Sequence, residues 1–211
     1  LELLNSADIY IDYGAHGTWE NETKKITVKV LIDGEPGTTQ IKMQMNLESG
    51  KEIPNYDYYF TVGQNLGNEN CNIPTINKTW HKIFHPVDCS QFSEVEYSNK
   101  GSYTTVMNWQ SRDNVFFKGK EYGHKDMEFE KIMSLPQKVS KKLEVAVAGK
   151  NTPKEKLIKV GWNIVDAHEV TISYDSFIDY IIQSKGEFSV CKNIFVTTNS
   201  GWFSDRSAVY L

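Results

Sequence analysis

Three segments of this 211-residue chain gather residues able to bind or transfer a charged group. The first is Gly123, His124 and Lys125, which open the helical pattern HKDMEFEKIMSLP just after the apolar run YTTVMNW (103–109). A helix start already favours anions through its free N–H groups and dipole. A lysine there opposes the helix unless an anion joins it, so Lys125 is a candidate phosphate ligand; the plain alternative is a solvated lysine in the run KGKEYGHKD. Trp109, at the end of the same run, is a candidate for the same site. The second segment is SGWFSDRSAVYL, where Ser200 and Gly201 lead to a helix capped by Ser204 or Asp205. The Arg206 fork and the Ser207 hydroxyl are suited to a diphosphate, while Trp202 and Phe203 suit either a flat ring or a core. The third is DGEPGTTQ after the run ITVKVLI (26–32). Asp33 and Glu35 are candidate general bases, or else solvated acids on a Gly-Pro turn. His16, between glycines in YGAHGTW, is another candidate base.

Composition removes several classes. Hydrophobic residues make up 39% and charged residues 24%, enough for a packed core. Lys and Arg number 23 against 27 Asp and Glu, a net charge of −4, so nucleic acid is not an expected partner. No apolar run approaches the ~20 residues of a membrane span, and no basic-then-apolar leader opens the sequence. Cys71, Cys89 and Cys191 are few and scattered, which suits a reducing, cytoplasmic setting. The histidines lack metal-ligand spacing, so no metal is expected. GxSxG, GxxxxGK[ST] and GxGxxG are all absent, which argues against a serine hydrolase, a P-loop NTPase and a Rossmann dehydrogenase.

The elements that must position these residues are legible as alternating strands and helices. Further β-branched runs lie at 56–62, 143–149, 161–167 and 188–198. Helical patterns follow at 124–136, at 152–161 before a glycine, and at 173–186 with Ser173 or Asp175 as cap. That alternation predicts an α/β fold with mostly parallel sheets and helices on both faces. The polar stretch 85–101 reads as a linker. Both ends look cut through structure, so an internal piece of a longer protein is expected.

The strings TTVMNW, YGHKDMEFEKIMSLP, SKGEFSVCKN and SGWFSDRSAVYL, in this order, resemble a family of bacterial glycosyltransferase-like proteins of the two-Rossmann-domain (GT-B) architecture. VLIDGEPGTTQ, YDYYFTVGQNLG and CNIPT resemble that family's first domain. The resemblance implies two Rossmann-like domains, 1–95 on the acceptor side and 103–211 on the donor side. It implies transfer of a hexosyl group from a nucleotide-sugar, a substrate rather than a cofactor, to an unknown acceptor without a metal. Trp109, Gly123, Lys125, Ser200, Gly201, Ser204, Asp205, Arg206 and Ser207 would hold the donor. A base among His16, Asp33 and Glu35 would activate the acceptor. SGWFSDRSAVYL carries no Glu-x7-Glu pair of the kind frequent in retaining relatives. That keeps open a non-catalytic nucleotide- or glycan-binding protein that retains the two-domain cleft.

Overall fold

Two four-stranded parallel sheets carry the chain, as the alternating pattern requires. The computed structural model describes residue 4 and residues 6–15, 21–92 and 101–211. In order, the elements are β1 (Ile9–Tyr13), β2 (Val28–Asp33), α1 (Thr38–Glu48), β3 (Tyr58–Thr61), β4 (Trp80–Lys82), β5 (Tyr103–Asn108), β6 (Val115–Phe117), β7 (Lys120–Tyr122), α2 (Lys125–Phe129), β8 (Leu143–Ala148), α3 (Lys154–Lys159), β9 (Asn163–Asp166), α4 (Ala167–Val170), α5 (Tyr174–Ile182), β10 (Gly186–Glu187), α6 (Asn193–Thr197) and α7 (Asp205–Val209). The fold is α/β with mostly parallel sheets. Among the described residues, no helix is long and apolar enough to cross a membrane.

The chain divides into two units. The first comprises Leu1–His85, Phe117–Lys120 and Ile194–Phe203; the second comprises Pro86–Phe116, Glu121–Asn193 and Ser204–Leu211. The sequence pattern suggested a single boundary between residues 95 and 103. The later part of the chain instead visits both units, so Ser200 and Gly201 belong to one and Ser204 to Ser207 to the other.

In the first unit the strands lie in the order β1-β2-β3-β4, with no reversal. Right-handed crossovers that always step the same way put their connections on one side of a sheet. That side is the core: Leu31, Tyr59 and Trp80 pack on Met43 of α1 and on Leu66, Ile73 and Ile76. The pleat turns the alternate residues the other way. Ile11, Val30 and Tyr58 sit side by side in register on that opposite face. Ile9, Ile11 and Tyr13 are each more than half exposed there.

In the second unit the order is β10-β5-β8-β9, so the winding reverses at β5. One face carries Met107, Val145 and Val147 against Phe129, Leu157, Trp162 and Val190. The other is covered through polar contacts: Thr104 meets the hydroxyls of Ser184 and Tyr210, both at 2.7 Å, and the Tyr180 hydroxyl donates to Glu144 at 2.8 Å. Helices on both faces follow from the reversal, which makes the carboxyl ends of β5 and β10 the switch point of the sheet, the place where a crevice is expected.

Several local expectations change. Residues 38–48 form a helix that the turn-rich reading passed over, and Gly37 precedes it at φ +94°, a value open to glycine. Residues 188–198 are not a strand: β10 stops at Glu187 and α6 begins at Asn193. The polar loop after β5 contains a hairpin, β6–β7, turned at Lys118 and Gly119 with φ of 49° and 74°. Two positive φ values in a two-residue loop match the twist of the flanking strands. The helix of 124–136 shortens to α2 and two 3₁₀ turns, Glu130–Ile132 and Leu135–Gln137. Ser173 caps α5 as expected, its hydroxyl accepting the Ser176 N–H at 3.0 Å.

Phe129 is fully buried, with its ring centroid 5.2 Å from that of Trp109 and 4.9 Å from that of Trp162. Phe129→Ala should cost about 3–5 kcal/mol. Urea unfolding followed by tryptophan fluorescence should show a lowered midpoint.

Candidate functional site

The crevice between β5 and β10 is held by two straps that sequence spacing does not reveal. The first is Asn193. Its side-chain oxygen accepts the Gly123 N–H at 3.1 Å, its amide donates to Glu128 at 2.8 Å, and its own N–H donates to the His124 carbonyl at 3.0 Å. The segment after β10 is thereby fastened to the start of α2. The Asp126 N–H in turn reaches the carbonyl of Trp109, the residue following β5. A Cβ at Gly123 would meet the sulfur of Met127, a flexible and partly exposed side chain that would have to move.

The second strap is Arg206. Its Nε donates to Glu187 at 2.5 Å, one terminal nitrogen to the Val106 carbonyl at 2.6 Å, and the other to the Ser189 hydroxyl at 2.8 Å. β10 ends after two residues, and the guanidinium continues bonding to β5 beyond that point. It forms a wedge at the winding reversal, with only 11% of its side chain exposed.

Between the straps lies Lys125, the first residue of α2, 7% exposed. Among the described residues, none accepts a hydrogen bond from its ammonium. Burial chiefly, and then the positive charges of Arg206 and Lys192, lower its pKa from the ordinary 10.5 to about 7. Cys191 and Glu187 act weakly the other way. His124, also buried, is pushed down first by desolvation and then by Lys192 and Arg112. Desolvation raises the Cys191 thiol, which favours the uncharged form. The cluster therefore brings Lys125, Lys192 and Arg206 together with the carboxylates of Glu187, held by Arg206, and Glu128, held by Asn193 and Lys131. Such a place attracts an anion with several oxygens.

The proposed site residues separate accordingly. Lys125 and Arg206, distant in sequence, feel each other's charge in one cluster. Gly123 belongs to the same crevice, and Ser204, Asp205 and Ser207 lie on or beside α7 with Arg206. Ser204 and Ser207 are buried, whereas Asp205 is exposed. Ser200 and Gly201 are in the first unit: the buried Ser200 hydroxyl accepts the Trp202 N–H at 3.2 Å, and Gly201 adopts φ +69° against Asn65. Their role there is a tight turn. Trp109 is core, 4% exposed against Phe129.

The base candidates fare differently. His16 lies outside the described residues. Asp33 is fully buried, and its carboxylate accepts from Gln40 at 2.7 Å, Thr61 at 2.8 Å and the Glu35 N–H at 2.9 Å. It shapes the turn between β2 and α1 and is closed to an acceptor hydroxyl. Glu35 sits on that same turn, where its carbonyl receives the N–H groups that open α1. Lys192, Cys191 and Asn193 were hidden inside the run FSVCKNIFVTT, whose alternation imitates a strand.

Next to the crevice, a cavity of about 370 Å³ opens over the ends of β5 and β8, lined by Asn108, Gln110, Ser111, Gly149, Lys150 and His168. Ser111 joins it to the cluster, its hydroxyl 3.4 Å from His124 Nδ1. Among the described residues, no group of three or more His, Cys, Asp or Glu side chains has the geometry to hold a metal ion. Compared with known protein families, curated proteins and solved structures, the chain matches none.

Burial raises the Asp33 pKa above its ordinary value despite the donors around it, so the carboxyl holds its proton more tightly folded than unfolded. Asp33→Ala would leave the Gln40 amide and Thr61 hydroxyl without their acceptor and should destabilise the first unit by about 1–3 kcal/mol per orphaned group. Thermal melts should register that loss as a lowered melting temperature.

Proposed function

We propose that the second unit binds the diphosphate of a nucleotide-sugar in the crevice between β5 and β10, and that the protein is a glycosyltransferase. The observation that carries this reading is Lys125: a lysine 7% exposed whose ammonium has no hydrogen-bond acceptor among the described residues. Placing a cation there without a counter-ion is costly, and a bound diphosphate would supply that counter-ion. Position supports it too, since ligands of reversed parallel sheets lie beyond the strand ends where the winding turns.

In this reading the bond between the sugar's anomeric carbon and the β-phosphate oxygen breaks, and that oxygen keeps the electron pair. The acceptor hydroxyl oxygen bonds to the anomeric carbon, and its proton passes to a base or to the departing diphosphate. Lys125 and its cationic neighbours stabilise the charge that gathers on the leaving phosphate. The adjoining cavity, lined by amides and hydroxyls, suits the polar remainder of the donor. The three cysteines are free thiols, and the proposal includes a reducing, cytoplasmic location.

A non-catalytic nucleotide-binding protein is the second reading. It is favoured by Glu187, whose carboxylate is already bound by Arg206. Hydrolysis and transfer assays over a panel of nucleotide-sugars separate the two readings, because only the enzyme releases nucleoside diphosphate.

Titration calorimetry with nucleoside diphosphates tests the binding step. Lys125→Met should weaken binding at least tenfold, on the order of one lost charged contact; unchanged binding would remove the proposal. The pH dependence has a fixed sign. Lys125 loses its proton as pH rises through about 7, so affinity should fall roughly tenfold between about pH 7 and pH 8.5, and the variant should lack that slope. Stability should move oppositely. A lysine whose folded pKa lies below its unfolded value destabilises most below the folded value, and that cost is relieved as pH rises. Lys125→Met should therefore raise the melting temperature, most clearly below about pH 7.

A further inference from the structure

We infer that Glu187 is an internal competitor for the anion, holding Arg206 until the ligand's oxygens take its place. The inference rests on the reading just given and adds the regulation of that same site.

Arg206 has one charged acceptor, Glu187, and two neutral ones, the Val106 carbonyl and the Ser189 hydroxyl. All three bonds are charge-assisted by the ionised donor, and only that to Glu187 also pairs opposite charges. A diphosphate offers several anionic oxygens and can replace all three acceptors at once. The charge balance runs the same way: Lys125 feels the positive charges of Arg206 and Lys192 and, among carboxylates, that of Glu187. That carboxylate neutralises the arginine and leaves Lys125 without an acceptor. It fills the site only in part, as a smaller anion would.

Exchange is also sterically open. Arg206 lines a cavity of about 260 Å³ whose walls include Tyr174, Phe177 and Val209 and two carboxylates, those of Asp88 and Asp205. One side of its side chain therefore faces space rather than packed atoms. Once released, Glu187 remains within the field of Lys125, so its charge is not abandoned in an apolar setting. The alternative is a fixed scaffold, in which the Arg206–Glu187 pair only holds β5 and β10 together. The two predict opposite responses to loosening the pair, because a competitor's removal strengthens ligand binding and a scaffold's removal weakens it.

Inorganic pyrophosphate is the probe, titrated into the full chain by calorimetry at a fixed pH near neutrality. Glu187→Gln should tighten binding about tenfold, the scale of one charge-assisted hydrogen bond. Because that variant leaves a buried arginine without its counter-charge, Ser189→Ala provides a milder test. It removes one neutral acceptor and should tighten binding about threefold. In thermal melts, saturating pyrophosphate should raise the melting temperature of Glu187→Gln more than that of the wild type. Tighter binding by both variants, with loss of binding in Lys125→Met, supports the inference. Weaker or unchanged binding in both, beside a wild type that does bind, overturns the competitor and leaves the diphosphate site standing. Absence of binding in the wild type and in both variants overturns both.

Discussion

A lysine only 7% exposed, with no hydrogen-bond acceptor among the described residues, is costly to hold as a charge, and the second unit contains one. Lys125 stays in place because both sides of it are fastened by groups that do not neutralise it. Asn193 ties the segment after β10 to the residues just before α2. Arg206 bonds β5 beyond the point where β10 ends, and brings a second positive charge. The interactions that hold the crevice together therefore also depress the lysine's pKa. A fold assembled for stability alone would have placed a carboxylate or an apolar side chain at this position.

Strand order decides which unit can hold such a site. The first sheet steps in one direction from β1 to β4 and keeps its core on one side. With no reversal, neighbouring strands do not send their following loops to opposite faces, and the carboxyl ends remain closed by turns such as that around Asp33. The second sheet reverses at β5. The chain leaves β5 toward one face and β10 toward the other, and Asn193 and Arg206 bridge the two. Polar contacts across the second face, from Thr104 to Tyr210 and from Tyr180 to Glu144, secure the helices that make the reversal possible.

Much of this frame was legible in the sequence, because parallel strands buried on a face appear as continuous β-branched runs. YTTVMNW and LEVAVAG contain the strands they suggested, and ITVKVLI covers β2 up to its last residue, Asp33. Lys125 stood out in the sequence because a lysine at a helix start contradicts local electrostatics, and the structure buries it at that helix start. Arg206 was read as a free ligand, but its partners come from residues up to 100 positions away, beyond any local pattern. The helix α1 escaped because Ile41, Met43, Met45 and Leu47 alternate like a strand. The same ambiguity, reversed, made a strand of 188–198, where the residues that fasten the crevice lie. Asp33 appeared to be a base because its burial depends on Gln40 and Thr61, one of them 28 residues distant.

The wedge at the winding reversal also sets an order of assembly. Val106 and Arg206 are separated by 100 residues of chain. At about 5–20 residues per second of synthesis, roughly 5–20 s pass between the appearance of the strand and of the arginine that locks it. Lys125 is made before Arg206, so for much of that interval it lacks the second positive charge that lowers its pKa beside burial. The depressed pKa of that lysine is therefore complete only after the arginine has been added.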